Sequence, residues 1–464
     1  MNARSLITVC HRGDANAVAR HAIGFAVALW LMQPSSVCAG NDDELLAGNE
    51  AAMMGGAVAA FVHDGSAAWY NPAGLGAIAR DQIDVSGSVY TLRFYSAPAF
   101  IRNREGASDD ASVTEFVSIP TQIAYARQLA PGMTLALGYF VPQATNLVLR
   151  EQLVATVNSR RETWQVAYAT SRTLHNAAAA LGLALTQHVR VGFGLIASYQ
   201  SEAESSVVFQ SVAEQGTTER LTEVTAIGTS NRIGLELALG MQAELSSRWS
   251  LGISARTPRL QVARSSDYLF TRGLATSPND DDDALLTGEA ARAAPEGDHT
   301  LALLRAGRIA LSVAYRYAER SRICLEADAQ PGLNDDGSPQ RRKAVINARL
   351  GLFHQLSARI GLGVGLFSDR SPDVLGGRPG SGTGDYYGGT LGLEFSDDHL
   401  LSGHERASSL TFRSVFALRY AYTHGDMDDF AVDADKLGET AFGGVRGSLI
   451  AHELGLYVGT GLEF

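Results

Sequence analysis

From about residue 80 onward, apolar residues alternate with small or polar ones. Ile233, Leu235, Leu237, Leu239, Met241 and Ala243 alternate with Arg232, Gly234, Glu236, Ala238, Gly240 and Gln242. The same pattern runs through Val189–Gln200, Ile360–Leu366 and Leu410–Tyr422. A period of two puts each apolar set on one face of a strand. Strands are predicted near 82–94, 114–128, 132–143, 162–186, 189–201, 224–245, 248–258, 300–318, 321–329, 342–355, 358–368, 384–396, 408–423 and 451–464. Arg172–His175 interrupt the pattern at 162–186, which reads as one strand or two. Most of these strands are longer than the five or six residues usual in soluble sheets, and their second face is rich in glycine and charge. A soluble sandwich would alternate too, with its apolar faces turned inward. The pattern predicts an all-β chain: a transmembrane barrel of about 14 antiparallel strands.

The links support this. Those after even-numbered strands are short turns (129–131, 187–188, 246–247, 319–320, 355–357), except 396–407. Those after odd-numbered strands are long and polar, including 95–113, 202–223, 259–299 and 424–450. Short periplasmic turns and long external loops are the outer-membrane arrangement. The final strand places Leu454, Leu456, Val458, Thr460, Leu462 and Phe464 on one face. Leu462 and the terminal Phe464 are similar to the signal read by barrel-assembly machinery.

Residues 40–80 do not alternate. Asn41–Glu44 are placed to cap a short helix over Leu45 and Leu46. A run of small residues follows, containing Gly55 and Gly56, then Asp64, Ser66 and Asn71-Pro72-Ala73. A barrel too wide to be filled by its own side chains leaves room for such a segment as an internal plug. The expected division is a leader at 1–39, a plug or hatch at 40–80 and a barrel at 81–464.

The stretch AMMGGAVAAFVHDGSAAWYNPAGLG resembles the N-terminal hatch of the FadL/TodX-type outer-membrane transporters of long-chain fatty acids and hydrophobic compounds. Asn71, Pro72 and Ala73 match the Asn-Pro-Ala element of that family, and Asp64 and Ser66 its acidic-small pair. Gly365–Pro372 and Asp385–Gly392 are similar to a late hairpin of the family. The resemblance implies a fourteen-stranded barrel with an internal hatch, passive uptake of a hydrophobic or amphipathic small molecule, and a mostly apolar pocket. Gly55, Gly56, Asp64, Ser66, Asn71, Pro72 and Ala73 are then the hatch and gating candidates; an ordinary Asx turn is the plainer reading of Asn71-Pro72. The acidic 259–299 segment and the longer 396–407 link depart from the family pattern.

Composition narrows the function. Glycine supplies 48 of 464 residues and mean hydropathy is −0.01, which fits neither a polytopic helical membrane protein nor a disordered chain. A net charge of −11 gives no basic footprint for nucleic acid. Inward parity falls on Arg232, Glu236, Glu326, Asp328, Arg349 and Arg413, as lumen groups that steer a carboxylate or, more ordinarily, bridge wall to plug. The acidic runs 279–283, 334–337 and 426–429 lack the spacing of a calcium loop and read as solvated loops bridged to lipopolysaccharide by divalent ions. No catalytic motif, metal site or cofactor site is found; His399 and His404 have no third ligand nearby in sequence. A monomer is expected. The rivals to transport of hydrophobic molecules are a general diffusion porin and a non-transporting surface protein.

Export is read from the amino end. Basic residues precede the eleven-residue apolar run Ala22–Met32, too short to span a membrane, and Val37-Cys38-Ala39 offers a cleavage site. A lipidated Cys38 is the rival, with Ser35-Ser36-Val37 a poor lipobox. Amino-terminal sequencing of protein purified from membranes is expected to begin at Gly40; a start at Met1 or a blocked Cys38 would contradict it.

Overall fold

The computed structural model describes residues 41, 44–214, 217–276, 286–293, 302–333, 341–375, 380–397, 410–433 and 442–464. The predicted leader, the acidic runs 279–283 and 334–337, and His399 and His404 lie outside the described residues.

Seventeen strand segments share one sheet that closes into a 14-stranded antiparallel barrel. β1 (Gln82–Asn103), β2 (Ser108–Ala130), β3 (Met133–Val157), β4 (Arg160–Ala184), β5 (Val189–Glu214) and β6 (Thr217–Glu244) follow in order. β7 (Trp249–Arg256) and β8 (Arg259–Thr276) share one position beside β6, parted at Thr257-Pro258, where proline has no N–H for the ladder. β9 (Leu286–Ala293), β10 (Leu303–Arg305) and β11 (Arg308–Ala318) fill the next position against them. β12 (Ser321–Gln330), β13 (Val345–Gln355), β14 (Ile360–Asp369), β15 (Gly382–Asp397), β16 (Thr411–Val432) and β17 (Phe442–Glu463) complete the ring. β17 closes on β1 from Gln82–Glu463 to Ser96–Ile450.

Parity sets the two faces. Leu237, Leu239, Leu311, Leu325, Leu366, Leu391 and Leu418 point outward and are exposed, whereas Arg232, Glu236, Glu326 and Asp328 point inward and are buried. An exposed apolar band round a closed ladder is what a bilayer demands, because backbone polar groups find no water there.

The stretch expected near 162–186 is one strand, unbroken at Arg172–His175, and ends at Ala184. Two other expectations change. The links 95–113 and 202–223 are not loops but the outer arms of hairpins. β3 to β6 run for 25, 25, 26 and 28 residues, well past the roughly ten that cross a membrane. Polar faces beyond the bilayer hid that alternation. Finally, no helix forms over Leu45 and Leu46; the first among the described residues is α1 (Asn49–Met53).

The tip of the β1–β2 hairpin folds across the mouth. Past Ala99, whose φ is 52°, Ile101–Asn103 pair in parallel with Phe430–Val432 of β16, and Phe100 meets Phe430 edge-on at 5.3 Å. At the other end Leu462 pairs with both Ile83 and Phe412, and the Phe464 amide donates to Asp81 O at 2.9 Å. Deleting Leu462–Phe464 is expected to cut the yield of heat-modifiable barrel on gels several-fold; undiminished assembly would show that the end carries no signal.

Candidate ligand path and gate

Residues 44–78 run inside the ring and are nearly all buried. They include α1, α2 (Ala67–Tyr70) and a 3-10 turn at Pro72–Ala77. The wall accepts them because it is glycine where they pass. Gly182, Gly192 and Gly240 are hydrogen-bonded neighbours on β4, β5 and β6. A methyl group on any of them would overlap Gly76, Pro72 or Asn71 respectively. Gly363 and Gly392 face Met53, and Gly351 faces Met54. Gly55 and Gly56 hold φ of 62° and 85°, a turn that suits glycine; Gly55 backs onto Gly365 and Gly56 onto the Arg349 stem.

Polar contacts fasten the segment. The Asn71 side-chain amide donates to Ala59 O at 2.7 Å and to Met241 O at 3.1 Å, and its oxygen accepts from Ala73 N at 3.2 Å. Pro72 opens the 3-10 turn, where its missing N–H costs nothing. Asp64 accepts from the Ser66 amide at 2.9 Å and from the Ser66 hydroxyl. Glu326 accepts from Val58 N and Ala59 N at 3.1 and 2.9 Å, and Arg349 lies 3.4 Å from Glu326 and 2.6 Å from Asp328. Glu236 gathers Arg305, Arg259 and Arg256 at 3.1, 3.5 and 3.8 Å; the Arg256 guanidinium also lies 3.8 Å over the Trp69 ring. Arg413 sits apart near the short-turn end, 3.0 Å from Glu463.

Above this segment the lumen turns apolar. Tyr95, Leu147, Leu149, Met427 and Leu449 line a chamber with about 40 Å³ of free space, little more than a water occupies. Beside it Thr145 pairs with Arg172, Arg172 with Glu202, Gln200 with Arg232, and Arg232 with Arg264. Arg232 is buried with Nη2 4.0 Å from Glu202 Oε2, beyond hydrogen-bond reach.

Among the described residues the wall has a break between β2 and β3 that sequence reasoning missed. β2 and β3 are paired from Ala130–Met133 only to Gln122–Phe140. Beyond it β2 continues on β1 and β3 on β4, so two facing edges lack a ladder. Side chains and the amino-terminal segment serve those edges instead. Leu45 N donates to Pro142 O at 2.9 Å, Gln143 Nε2 to Asn41 O at 2.7 Å, and Ala144 N to Glu44 Oε2 at 3.4 Å. Glu115 accepts from the Asn146 amide. Arg93 ties the group together, 3.3 Å from Glu44, 3.2 Å from Glu115 and 2.7 Å from Glu453, while donating to Ala144 O at 3.0 Å. The available signal was Pro120 and Pro142, one in each facing strand, since proline within a strand marks an unpaired edge.

No protein-family model and no curated protein match the sequence. Solved structures do match the fold. A FadL homologue of Pseudomonas aeruginosa superposes with a TM-score of 0.62 at 10% identity, over 92% of this chain and 100% of that one. The toluene transporter TodX of P. putida gives 0.56 at 12% identity, over 90% of this chain and 98% of that one. The chain therefore has the FadL/TodX-type fold: an outer-membrane-type barrel whose structural neighbours are transporters and channels. Among the described residues no cluster of His, Cys, Asp or Glu is arranged to hold a metal.

Two outcomes are expected. Gly192→Val should displace the segment while leaving the outer face intact, turning a nearly closed barrel into a steadily conducting one in planar bilayers; unchanged conductance would contradict the packing. Burial pushes the Glu44 carboxyl up to about 7, with Arg93 opposing. The docked carboxyl thus holds its proton where a free one near 4.5 does not, so docking weakens as pH rises from 4.5 to 7 and is level outside that window. Amide exchange at Leu45, corrected for intrinsic pH dependence, should quicken across that window; a flat profile would contradict it.

Proposed function

We propose that this protein takes up hydrophobic molecules passively across the bacterial outer membrane, and that amphipathic long-chain acids are its preferred cargo. The observation that carries the reading is an apolar chamber inside a barrel whose lipid-facing wall has no backbone ladder between β2 and β3 beyond Gln122–Phe140. A diffusion porin needs a wet, unobstructed lumen, whereas this one is crossed by residues 44–78 and filled above them by apolar side chains. In this reading residues 44–78 are the hatch, and Asn71-Pro72-Ala73 the hinge that keeps it seated against β6.

Cargo enters at the hairpin end and displaces Met427, Leu147 and Leu449, because the chamber is too small as it stands. Its tail gains roughly 0.8 kcal/mol per buried methylene, and its head meets Arg232 and Arg172. Release of the Leu45–Pro142 contact lets it leave sideways into the membrane. No cofactor or nucleotide is needed, since the concentration gradient supplies the free energy. The leader would deliver the chain to the periplasm, Leu462 and Phe464 would hand it to the barrel-assembly machinery, lipopolysaccharide would surround it, and it would act as a monomer. Aromatic hydrocarbons are the second reading, favoured by the apolar chamber and disfavoured by the arginines beside it.

The test compares uptake of a long-chain fatty acid and of toluene in a deletion strain, its complemented parent and an Arg232→Gln strain. Complementation should restore fatty-acid uptake, and Arg232→Gln should raise the KM for the acid several-fold with no effect on toluene. Equal uptake in deletion and parent for both compounds would refute the proposal.

A further inference from the structure

The membrane face of most strands carries leucine, isoleucine or phenylalanine, but one patch is built of small residues. Outward positions Ala177 and Ala179 of β4 and Ala197 of β5 form the floor of a concavity of about 650 Å³. Leu137, Leu195 and Ile123 stand round it. The hollow is shallow and opens broadly to the bilayer, so it can seat one side of a chain and leave the other against lipid. Lipid-facing walls need no such hollow, because a row of leucines satisfies the bilayer equally well.

Its upper rim is polar and rigid. Tyr139 and His175 stack at 6.0 Å and share a 2.6 Å hydrogen bond between the hydroxyl and Nδ1, and Tyr199 stacks on the other side of His175 at 6.2 Å. Tyrosines on the outer wall mark the depth at which hydrocarbon gives way to head groups. The hollow also adjoins the break. Gln122–Phe140 is the last ladder pair of β2 and β3, and the next pair below it, Ile123–Tyr139, forms the edge of the hollow.

We infer that this hollow is a binding groove for the hydrocarbon tail of an amphipathic acid that has left the lumen through the β2–β3 break. The tail lies over Ala177, Ala179 and Ala197, which admit it because they carry no bulk. The head rests at the Tyr139–His175–Tyr199 rim, where a ring nitrogen and hydroxyls offer hydrogen bonds at the membrane surface. The groove lowers the free energy of the first position outside the wall and so makes exit easier than return. This inference rests on the uptake proposed above.

The probe is a long-chain fatty acid with a diazirine at its tail, photolysed in outer membranes containing the full chain and mapped by mass spectrometry. Adducts are expected both at the chamber, near Leu147, and at Leu137, Ala177–Ala179 or Leu195, and excess unmodified fatty acid should remove both. Ala177→Leu with Ala179→Leu should abolish the outer adducts, keep the inner ones and slow uptake several-fold; both residues face lipid, so the larger side chains do not crowd the interior. Inner adducts without outer ones would overturn the groove and leave the uptake reading standing. Outer labelling equally strong from a diazirine phospholipid, and not removed by fatty acid, would assign the hollow to membrane lipid only and overturn the inference. Adducts at neither place would refute the uptake reading itself.

Discussion

A backbone in hydrocarbon must satisfy its own hydrogen bonds, and a polar group left bare there costs several kcal/mol. Nearly the whole chain obeys by pairing strand to strand until β17 meets β1. Among the described residues the β2–β3 edge departs from this midway along two long strands. Pro120 and Pro142 help to end the ladder, and Arg93, Glu115 and Glu44 replace part of it with charge-assisted hydrogen bonds. Side-chain contacts of this kind can be exchanged, whereas a ladder opens only with the wall. The same side chains also hold the amino-terminal segment.

That segment stays inside because the inner wall was made thin for it. Gly182, Gly192 and Gly240 lie side by side on three strands, and Gly351 pairs with Gly365 a third of the way round the ring. Each lets the backbone of residues 53–76 approach the wall more closely than any side chain would permit. Tight apolar contact then supplies broad, nondirectional attraction. Asn71, Glu326 and Gln242 add register by pairing with Met241 O, Val58 N, Ala59 N and Val62 O. The seat is thus specific without being polar overall.

Much of this was legible in the residues. The period of two set strand existence and facing, because lipid outside and small or charged groups inside impose opposite demands on neighbours. The inward facing of Arg232, Glu236, Glu326 and Arg349 followed from parity alone, and resemblance to a known element singled out Asn71-Pro72, which packs against β6. What could not be read were features set by distance across the lumen. Nothing in the sequence joins Arg93 to Glu453, 360 positions later, or Gly240 to Asn71. Strand ends beyond the membrane were also obscured, since the outer arms of β5 and β6 intersperse Ser, Thr, Glu and Gln with scattered apolar residues such as the buried Val208, Val212 and Val224. The two helix-capping acids Asp42 and Asp43 fall outside the described residues, and Leu45 pairs with Pro142 rather than entering a helix.

The sideways route is the claim on which most depends. Val117 and Ala144 pack with Leu45 across the unpaired edges, and the remaining described cysteine, Cys324, is buried elsewhere in the wall. Cysteines placed at Val117 and Ala144 and oxidised would staple the break shut, and fatty-acid uptake measured before and after reduction reads the route. The account predicts uptake lost in the oxidised protein and restored by reductant. Uptake that persists with the staple fully formed would contradict it.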